Sequence, residues 1–284
     1  MNRFRCLVCH GGEGEAVFLG CADYYLGTPH RVDYYRCRSC RLLQQFPVPL
    51  GVSGFYEHYP VHARKSRLYS TLRRLVMSPI YYDLARHPMG SVLLDYGCGD
   101  GGYLELYRGK GFTLLGYESS SAQAAQVARQ LGLPVCADIG TLLREHRGAV
   151  DVLTMHFVLE HLTDLDAAFR EVHLLLRPGG RFYYVVPHAS SFEARLFGRK
   201  WHNLDPPRHI SFPDSGTASR LADRHGFTVS AEHPVAFPNG IAGTLPVLLS
   251  GRFRFPLYAF FLPLGIALSR LVPTGSRAYH LTRI

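Results

Sequence analysis

The chain has 284 residues, 47% of them hydrophobic and 19% charged, with a formal net charge of +9. That much apolar content supports a packed core and excludes a disordered chain. The positive charge favours anionic partners, phosphate-bearing substrates or an anionic membrane face. The arginines are scattered without a dense basic run, so no nucleic acid is expected as a partner. Met1 leads into a polar, cysteine-bearing stretch with no apolar run, so no secretory signal is expected. The seven cysteines then read as thiolates of a reducing cytoplasm rather than as a disulfide framework.

Cys6-Leu-Val-Cys9 and Cys37-Arg-Ser-Cys40 form a C-x2-C…C-x2-C pattern. Each pair is a knuckle that presents two sulfurs, and two knuckles complete a tetrahedral thiolate site for a structural Zn2+ with no open position. Tyr- and Gly-rich residues between them predict short strands, as in a zinc ribbon. Cys21, His10 and His30 are alternative ligands without paired spacing. Pro47, Pro49, Gly51 and Gly54 then mark a turn-rich linker, followed by Tyr56, Tyr59 and a basic helical stretch over 65–82.

From Ser91 onward the pattern alternates between strand and helix, which predicts a doubly wound parallel sheet. Strands are expected at 92–96, 112–117, 134–137, 150–155 and 181–186, with helices near 101–110, 121–131, 140–146 and 164–176. The first strand runs into Asp95-Tyr-Gly97-Cys-Gly99-Asp-Gly101-Gly102, a turn that lets a ligand approach the backbone ahead of a helix N-terminus. Glu118 falls at the tip of the second strand, where a carboxylate can accept from ribose hydroxyls. Asp138 ends the third, where it can accept from an adenine amino group. Gly97, Gly99 and Gly102 also satisfy G-x-G-x-x-G, so a NAD-dependent oxidoreductase is one alternative. A non-catalytic zinc-ribbon nucleic-acid binder is another. Asp95 weighs against a dinucleotide, because it would repel a pyrophosphate and attract a sulfonium and its ammonium group.

These segments together resemble class I S-adenosylmethionine-dependent methyltransferases. Asp95 to Gly101 matches the first motif, Glu118 the second and Asp138 the third. Asp151 to His161 matches the segment at the fourth strand, and Leu176 to Gly180 the turn before the fifth. The resemblance implies a Rossmann-like α/β sheet with its last strand antiparallel. Asp95, Gly97, Gly99, Glu118 and Asp138 would hold S-adenosylmethionine, with His156 and Phe157 lining the cleft where the methyl group leaves. A narrower resemblance is to bacterial methyltransferases with an N-terminal four-cysteine module, which act on sugars, polysaccharides or specialised metabolites. The segment Trp201 to Phe212 carries that likeness. Glu160-His161 is also shared with quinone O-methyltransferases, but the Glu those enzymes carry three positions earlier is Phe157 here.

A hydroxyl acceptor needs a general base, and an imidazole titrates near a working pH. The candidates are His209 first, then His156 and His161. Trp201 is expected to wall the acceptor pocket or to pack in the core, and Arg208 to hold an acceptor phosphate or carboxylate or to pair with Asp205. After a helix near 214–225 and a strand near 227–233, residues 255–268 carry no charge and are flanked by Arg252, Arg254 and Arg270. They fall short of the ~20 residues a spanning helix needs. The expectation is an apolar hairpin at a membrane surface or on a lipid-linked acceptor, or a packed lid or dimer element, with residues 277–284 returning as the last strand. The organisation expected is therefore a zinc-ribbon module (1–45), a linker and helical segment closing the cofactor site (46–90), a methyltransferase core (91–235), and an apolar insertion with the last strand (236–284). The acceptor expected is a small molecule, a sugar or a lipid-linked glycan. The protein would be cytoplasmic, with a peripheral site at the inner membrane face.

Overall fold

The structure, a computed structural model, describes residues 3–56, 87–272 and 275–284. The helical stretch expected over 65–82, and Tyr59, lie outside the described residues.

The N-terminal residues form an antiparallel hairpin of β1 (Gly14–Ala22) and β2 (Arg31–Cys37), extended by β3 (Leu43–Gln45). The core then follows in alternation: β4 (Val92–Tyr96), α1 (Gly102–Tyr107), β5 (Thr113–Tyr117), α2 (Ser121–Leu131), β6 (Val135–Cys136), α3 (Ile139–Glu145) and β7 (Val150–His156). A short 3-10 turn (Leu159–His161) leads to α4 (Leu165–Leu175), β8 (Leu176–Pro187) and α5 (Phe192–Phe197). The remainder is β9 (Ser211–Phe212), α6 (Ser215–Arg224), β10 (Phe227–Pro234), α7 (Asn239–Ser250), α8 (Phe255–Leu271) and β11 (Ser276–Arg283).

Local chemistry explains where the helices begin. Ser120, Asp138, Asp164 and Ser191 each accept a backbone N–H three residues on, and Asp214 with Thr217 forms a reciprocal capping box. Such side chains satisfy amide groups that the first turn of a helix leaves without partners. Gly132 ends α2 in the left-handed conformation (φ 61°) that a side chain disfavours.

Seven strands form one sheet in the order β10-β11-β8-β7-β4-β5-β6. The pairings from β8 through β6 are all parallel, and β11 runs antiparallel between β8 and β10. Strand order reverses between β4 and β7, so a crevice opens beyond their carboxyl ends, the place where open α/β sheets bind ligands. Alternate residues of the strands face opposite layers. Leu94, Leu153, Met155, Phe182 and Tyr184 pack with Phe169 and Val172 of α4, while Leu93, Val152, Tyr183 and Val185 pack with Leu104 and Tyr107 of α1.

The cysteine-bearing segment joins this core. β3 pairs with β9 (Leu43↔Phe212), giving a second sheet, β1-β2-β3-β9, that spans both parts of the chain. Phe4, Cys6, Val8 and Leu42 belong to the same buried cluster as α4 and α6 residues.

Two local expectations are corrected. The strand expected at 181–186 begins at Leu176, because Leu176 already pairs with Val150 and the Pro178-Gly179-Gly180 run is carried as an irregularity in that pairing. The apolar residues 255–268 are no hairpin in themselves. They form the single helix α8, with Pro263 inside it, and the hairpin is the pair α7–α8 turning at Gly251. Pro263 and Ala259, whose carbonyl loses its helical partner to the proline, both lie on the exposed side, so the missing hydrogen bond leaves no buried polar group.

Candidate active site

Beyond β4 the chain turns through Gly97, Gly99 and Gly101 at φ 77°, 55° and 75°. A Cβ on Gly97 would stand 2.7 Å from Val158 Cγ2, so the loop after β7 roofs the turn only because Gly97 has no side chain. At Gly99 nothing lies within 4 Å of where a Cβ would be. There glycine supplies a left-handed backbone with an uncovered face. The turn is braced from the next strand. Glu118 Oε2 accepts from Gly99 N–H and Oε1 from Ser120 N–H, both at 3.0 Å, and Gln123 Nε2 donates to the Gly99 carbonyl. Glu118 thus holds the turn in shape.

Asp95 sits beneath the turn, 1% exposed. Its Oδ1 accepts from Thr154 Oγ1 (2.8 Å) on the neighbouring β7, and Oδ2 has no hydrogen-bond partner. Burial pushes its carboxyl up to about 7, with Asp100 and Glu118 adding to the rise against the Thr154 hydroxyl. A buried acid with an unspent acceptor oxygen suits a cationic ligand group. Asp138 follows β6, but its Oδ2 accepts from Thr141 N–H (2.7 Å) and caps α3. The Thr141 side chain, together with that backbone bond, holds its carboxyl below the usual range.

The three histidines part company. His156 ends β7, stacked on Tyr103 (ring centroids 3.8 Å apart), with Nε2 2.8 Å from the Tyr107 hydroxyl. Burial pushes it down to about 3. It is a neutral packing group between the sheet and α1, which corrects its expected role as a base. Phe157 beside it has φ 57°, a conformation costing a bulky residue on the order of 1–3 kcal/mol. Its N–H donates to Val185 O (2.9 Å) and its ring meets Phe237 at 4.9 Å, just ahead of α7.

His161 and His209 come together from distant segments, with ring centroids 4.6 Å apart. His161 Nδ1 lies 3.0 Å from the Arg208 carbonyl and His209 Nδ1 2.8 Å from the Asn203 carbonyl. Since a carbonyl only accepts, each ring donates Nδ1–H and leaves Nε2 as its acceptor nitrogen, and burial pushes both rings down, His209 to about 3. Glu160 completes the group. Burial pushes its carboxyl up to about 8, and neither oxygen has a hydrogen-bond partner. The sequence singled out the Glu160-His161 pair, but not that the carboxylate would be buried without partners. Phe237 was missed too, because nothing in the local sequence ties it to the cleft.

Trp201 and Arg208 are both enclosed, and of the two roles expected for Arg208 the pairing with Asp205 is the one observed. Trp201 is 1% exposed, packs with Phe212 and donates Nε1–H to Glu193 Oε2 (3.3 Å). Arg208, equally buried, grips two carboxylates: Asp23 through both terminal nitrogens (3.0 and 2.8 Å) and Asp205 through Nε and Nη2 (2.9 and 2.6 Å). A guanidinium engaged bidentately on both sides has four of its five N–H donors committed to these carboxylates. Its function is to fasten the turn after β1 to the loop before β9.

The four N-terminal sulfurs form a separate cluster. Cys6 and Cys40 Sγ are 3.3 Å apart and Cys9 and Cys37 Sγ 3.4 Å, far beyond a bonded ~2.05 Å. All four lie within 4.8 Å of one another. Zinc–sulfur bonds of ~2.3 Å put tetrahedral sulfurs about 3.8 Å apart, so this set fits a zinc ion. Both knuckles place the residue after their second cysteine in the left-handed region, His10 at φ 59° and Arg41 at φ 69°.

Comparison with known proteins adds a family. A model described as "Methyltransferase domain" matches residues 62–232. The malonyl-[acyl-carrier protein] O-methyltransferase of Serratia marcescens is 29% identical over 127 residues, 44% of this chain and 48% of that protein. C-methyltransferase NovU of Streptomyces niveus is 23% identical over 210 residues, 71% of this chain and 48% of its own length. The chain thus spans about half the length of these curated relatives. Among solved structures, a geranyl diphosphate methyltransferase in complex with S-adenosylmethionine aligns with a TM-score of 0.50 at 19% identity, over 80% of this chain and 95% of that one.

Proposed function

The chain belongs to the methyltransferase-domain family, and from that premise we propose that it transfers a methyl group from S-adenosylmethionine to an acceptor presented at a membrane surface, a lipid-linked sugar or glycan. The observation that carries the donor side is the glycine turn over buried Asp95, braced by Glu118. Methyl transfer from a sulfonium is an in-line displacement, so the protein's work is chiefly to position the two partners. Asp95 would hold the ammonium group of the cofactor's methionine part, the open backbone at Gly99 its neighbour, and Glu118 the ribose. Asp138 borders the adenine side. Family membership removes the reason to read the turn as a NAD site.

On the acceptor side, Phe157 and Phe237 form the wall, and His161 and His209 with Glu160 are the polar groups beyond it. Two features favour an amphiphilic acceptor. Phe237, in contact with Phe157, leads directly into the α7–α8 hairpin. Along α8, Phe255, Phe260, Leu264 and Leu271 are exposed, with Arg252 and Arg254 just ahead of the helix and Arg270 in its last turn. No helix among the described residues is long and apolar enough to cross a membrane, and an apolar face rimmed by arginines suits one that lies in an anionic interface. We place the protein peripherally at the inner membrane face. The four cysteines would hold a structural zinc ion, their sulfurs bearing on fold rather than on the reaction.

Calorimetry with S-adenosylhomocysteine tests the donor site. Wild-type protein is expected to bind it, and Glu118→Ala at least ~10-fold more weakly, the loss of a charge-assisted hydrogen-bond pair. Absence of binding to the wild type, with NAD bound instead, would reject the reading.

A further inference from the structure

The loop after β7 and the loop before β9 bring Glu160, His161 and His209 together, with one potential ligand atom of each within 4.8 Å of the others. We infer that this group binds a single divalent transition-metal ion through two imidazole nitrogens and one carboxylate, on the acceptor side of the cofactor turn.

Three observations point there. The first is Glu160, 0% exposed, with neither carboxylate oxygen hydrogen-bonded. A buried carboxylate without partners is costly, and a cation is what such a group lacks. The second is the state of the two rings. Each gives Nδ1–H to a backbone carbonyl, the arrangement that orients a metal-binding imidazole and raises the basicity of its other nitrogen. The third is rigidity. Ile210 N–H donates to the Glu160 carbonyl, and the Asp23–Arg208–Asp205 ion triad fixes the residue next to His209, so both loops are held before any ion arrives.

The donor set narrows the ion. Two imidazoles and a carboxylate suit Mn2+, Fe2+ or Zn2+, whereas Mg2+ and Ca2+ favour all-oxygen sites and thiolate clusters select softer chemistry. Bonds of ~2.1 Å put adjacent ligands about 3–3.4 Å apart, so ligand atoms that lie within 4.8 Å of one another would draw together on binding. Three protein ligands leave coordination positions open. Resting on the methyltransferase reading, those positions would take an oxygen of the acceptor (hydroxyl, enol or carboxylate) and fix it relative to the methyl donor.

Mn2+ is the probe, because it prefers nitrogen and oxygen donors and ignores the four cysteines. Zinc-loaded protein is titrated with Mn2+, and free ion is read by its electron paramagnetic resonance signal. Wild type is expected to take up one equivalent, and Glu160→Gln and His209→Ala to bind at least ~10-fold more weakly. Circular dichroism checks that both variants fold, and S-adenosylhomocysteine affinity is measured on the same samples. Wild type that binds S-adenosylhomocysteine but no Mn2+ overturns the metal site and leaves the donor reading standing. Equal Mn2+ binding in wild type and both variants overturns it as well. Failure of S-adenosylhomocysteine to bind, with Mn2+ uptake lost in the variants, would reject the donor reading while keeping the ion site.

Discussion

At the scale of single residues, Asp95 carries the sharpest consequence. Its carboxyl, raised to about 7 by burial with Asp100 and Glu118 adding, is largely neutral at pH 6 and ionised at pH 8. A folded pKa above the unfolded value means that the ligand-free fold loses stability as pH rises through the interval from about 4 to about 7. A cationic ligand group reverses the preference, since it favours the ionised form. Affinity for S-adenosylhomocysteine should therefore be roughly tenfold weaker at pH 6 than at pH 8, one pKa unit being worth a factor of ten. Calorimetry across that range checks it, and Asp95→Asn should flatten the profile. An unchanged slope in that variant would remove Asp95 from the account. Asp95 itself was legible in the sequence because a turn motif fixes its spacing from the glycines. The pairing of Arg208 with Asp205 was one of its two expected roles, but its reach to Asp23 and the enclosure of Trp201 against Glu193 were not legible, because a polar loop sequence does not disclose what folding brings around it.

At the scale of elements, strands and capped helices from β4 to α4 followed the sequence closely, because each is set by an apolar run and a local cap. The exceptions lie where tertiary contact decides. Leu176 to Gly180 runs on as strand since β7 is there to pair with it. The helix α8 keeps Pro263 because α7 packs along it; Ala242 of α7 would lie 3.0 Å from a Cβ on Gly265. Its exposed side carries the proposed membrane contact. Phe260→Glu with Leu264→Glu should abolish co-sedimentation with vesicles rich in anionic lipid, while folding and S-adenosylhomocysteine binding persist. Arg252→Ala with Arg254→Ala should weaken it in a salt-dependent manner, since each basic residue near such a surface contributes about 1 kcal/mol. Wild-type protein that stays in the supernatant at low salt would refute membrane docking.

At the scale of the whole molecule, the cysteine-bearing segment and the sheet depend on each other. β3 and β9 share a ladder, Gln45 Nε2 donates to the Pro207 and His209 carbonyls, and Arg208 crosses to Asp23. Loss of one partner of such a buried ion cluster typically costs about 3–5 kcal/mol. A structural zinc ion at the four cysteines would therefore set the geometry of the loop that carries His209 as well as that of the knuckles. Cys37→Ser with Cys40→Ser should lose one equivalent of zinc and lower Tm by ~5 °C or more, at about 2–4 °C per kcal/mol for a core of this size. Elemental analysis and a thermal melt check both. An unchanged Tm with zinc lost would separate the cluster from the fold.

What could be read from the letters alone is local: the order of strands and helices, the glycine turn with Asp95, the placement of Glu118 and Asp138 at strand ends, and the two C-x2-C knuckles. Each rests on spacing within a few residues or on a repeated motif, and spacing is visible in a string of letters. The tertiary structure alone decided what depends on juxtaposition: that Arg208 reaches Asp23 across 185 positions, that Phe237 closes on Phe157, and that His209 stands beside Glu160 and His161. Burial and pairing are properties of neighbours brought together by folding, and they decide whether a histidine or an arginine packs, pairs or binds.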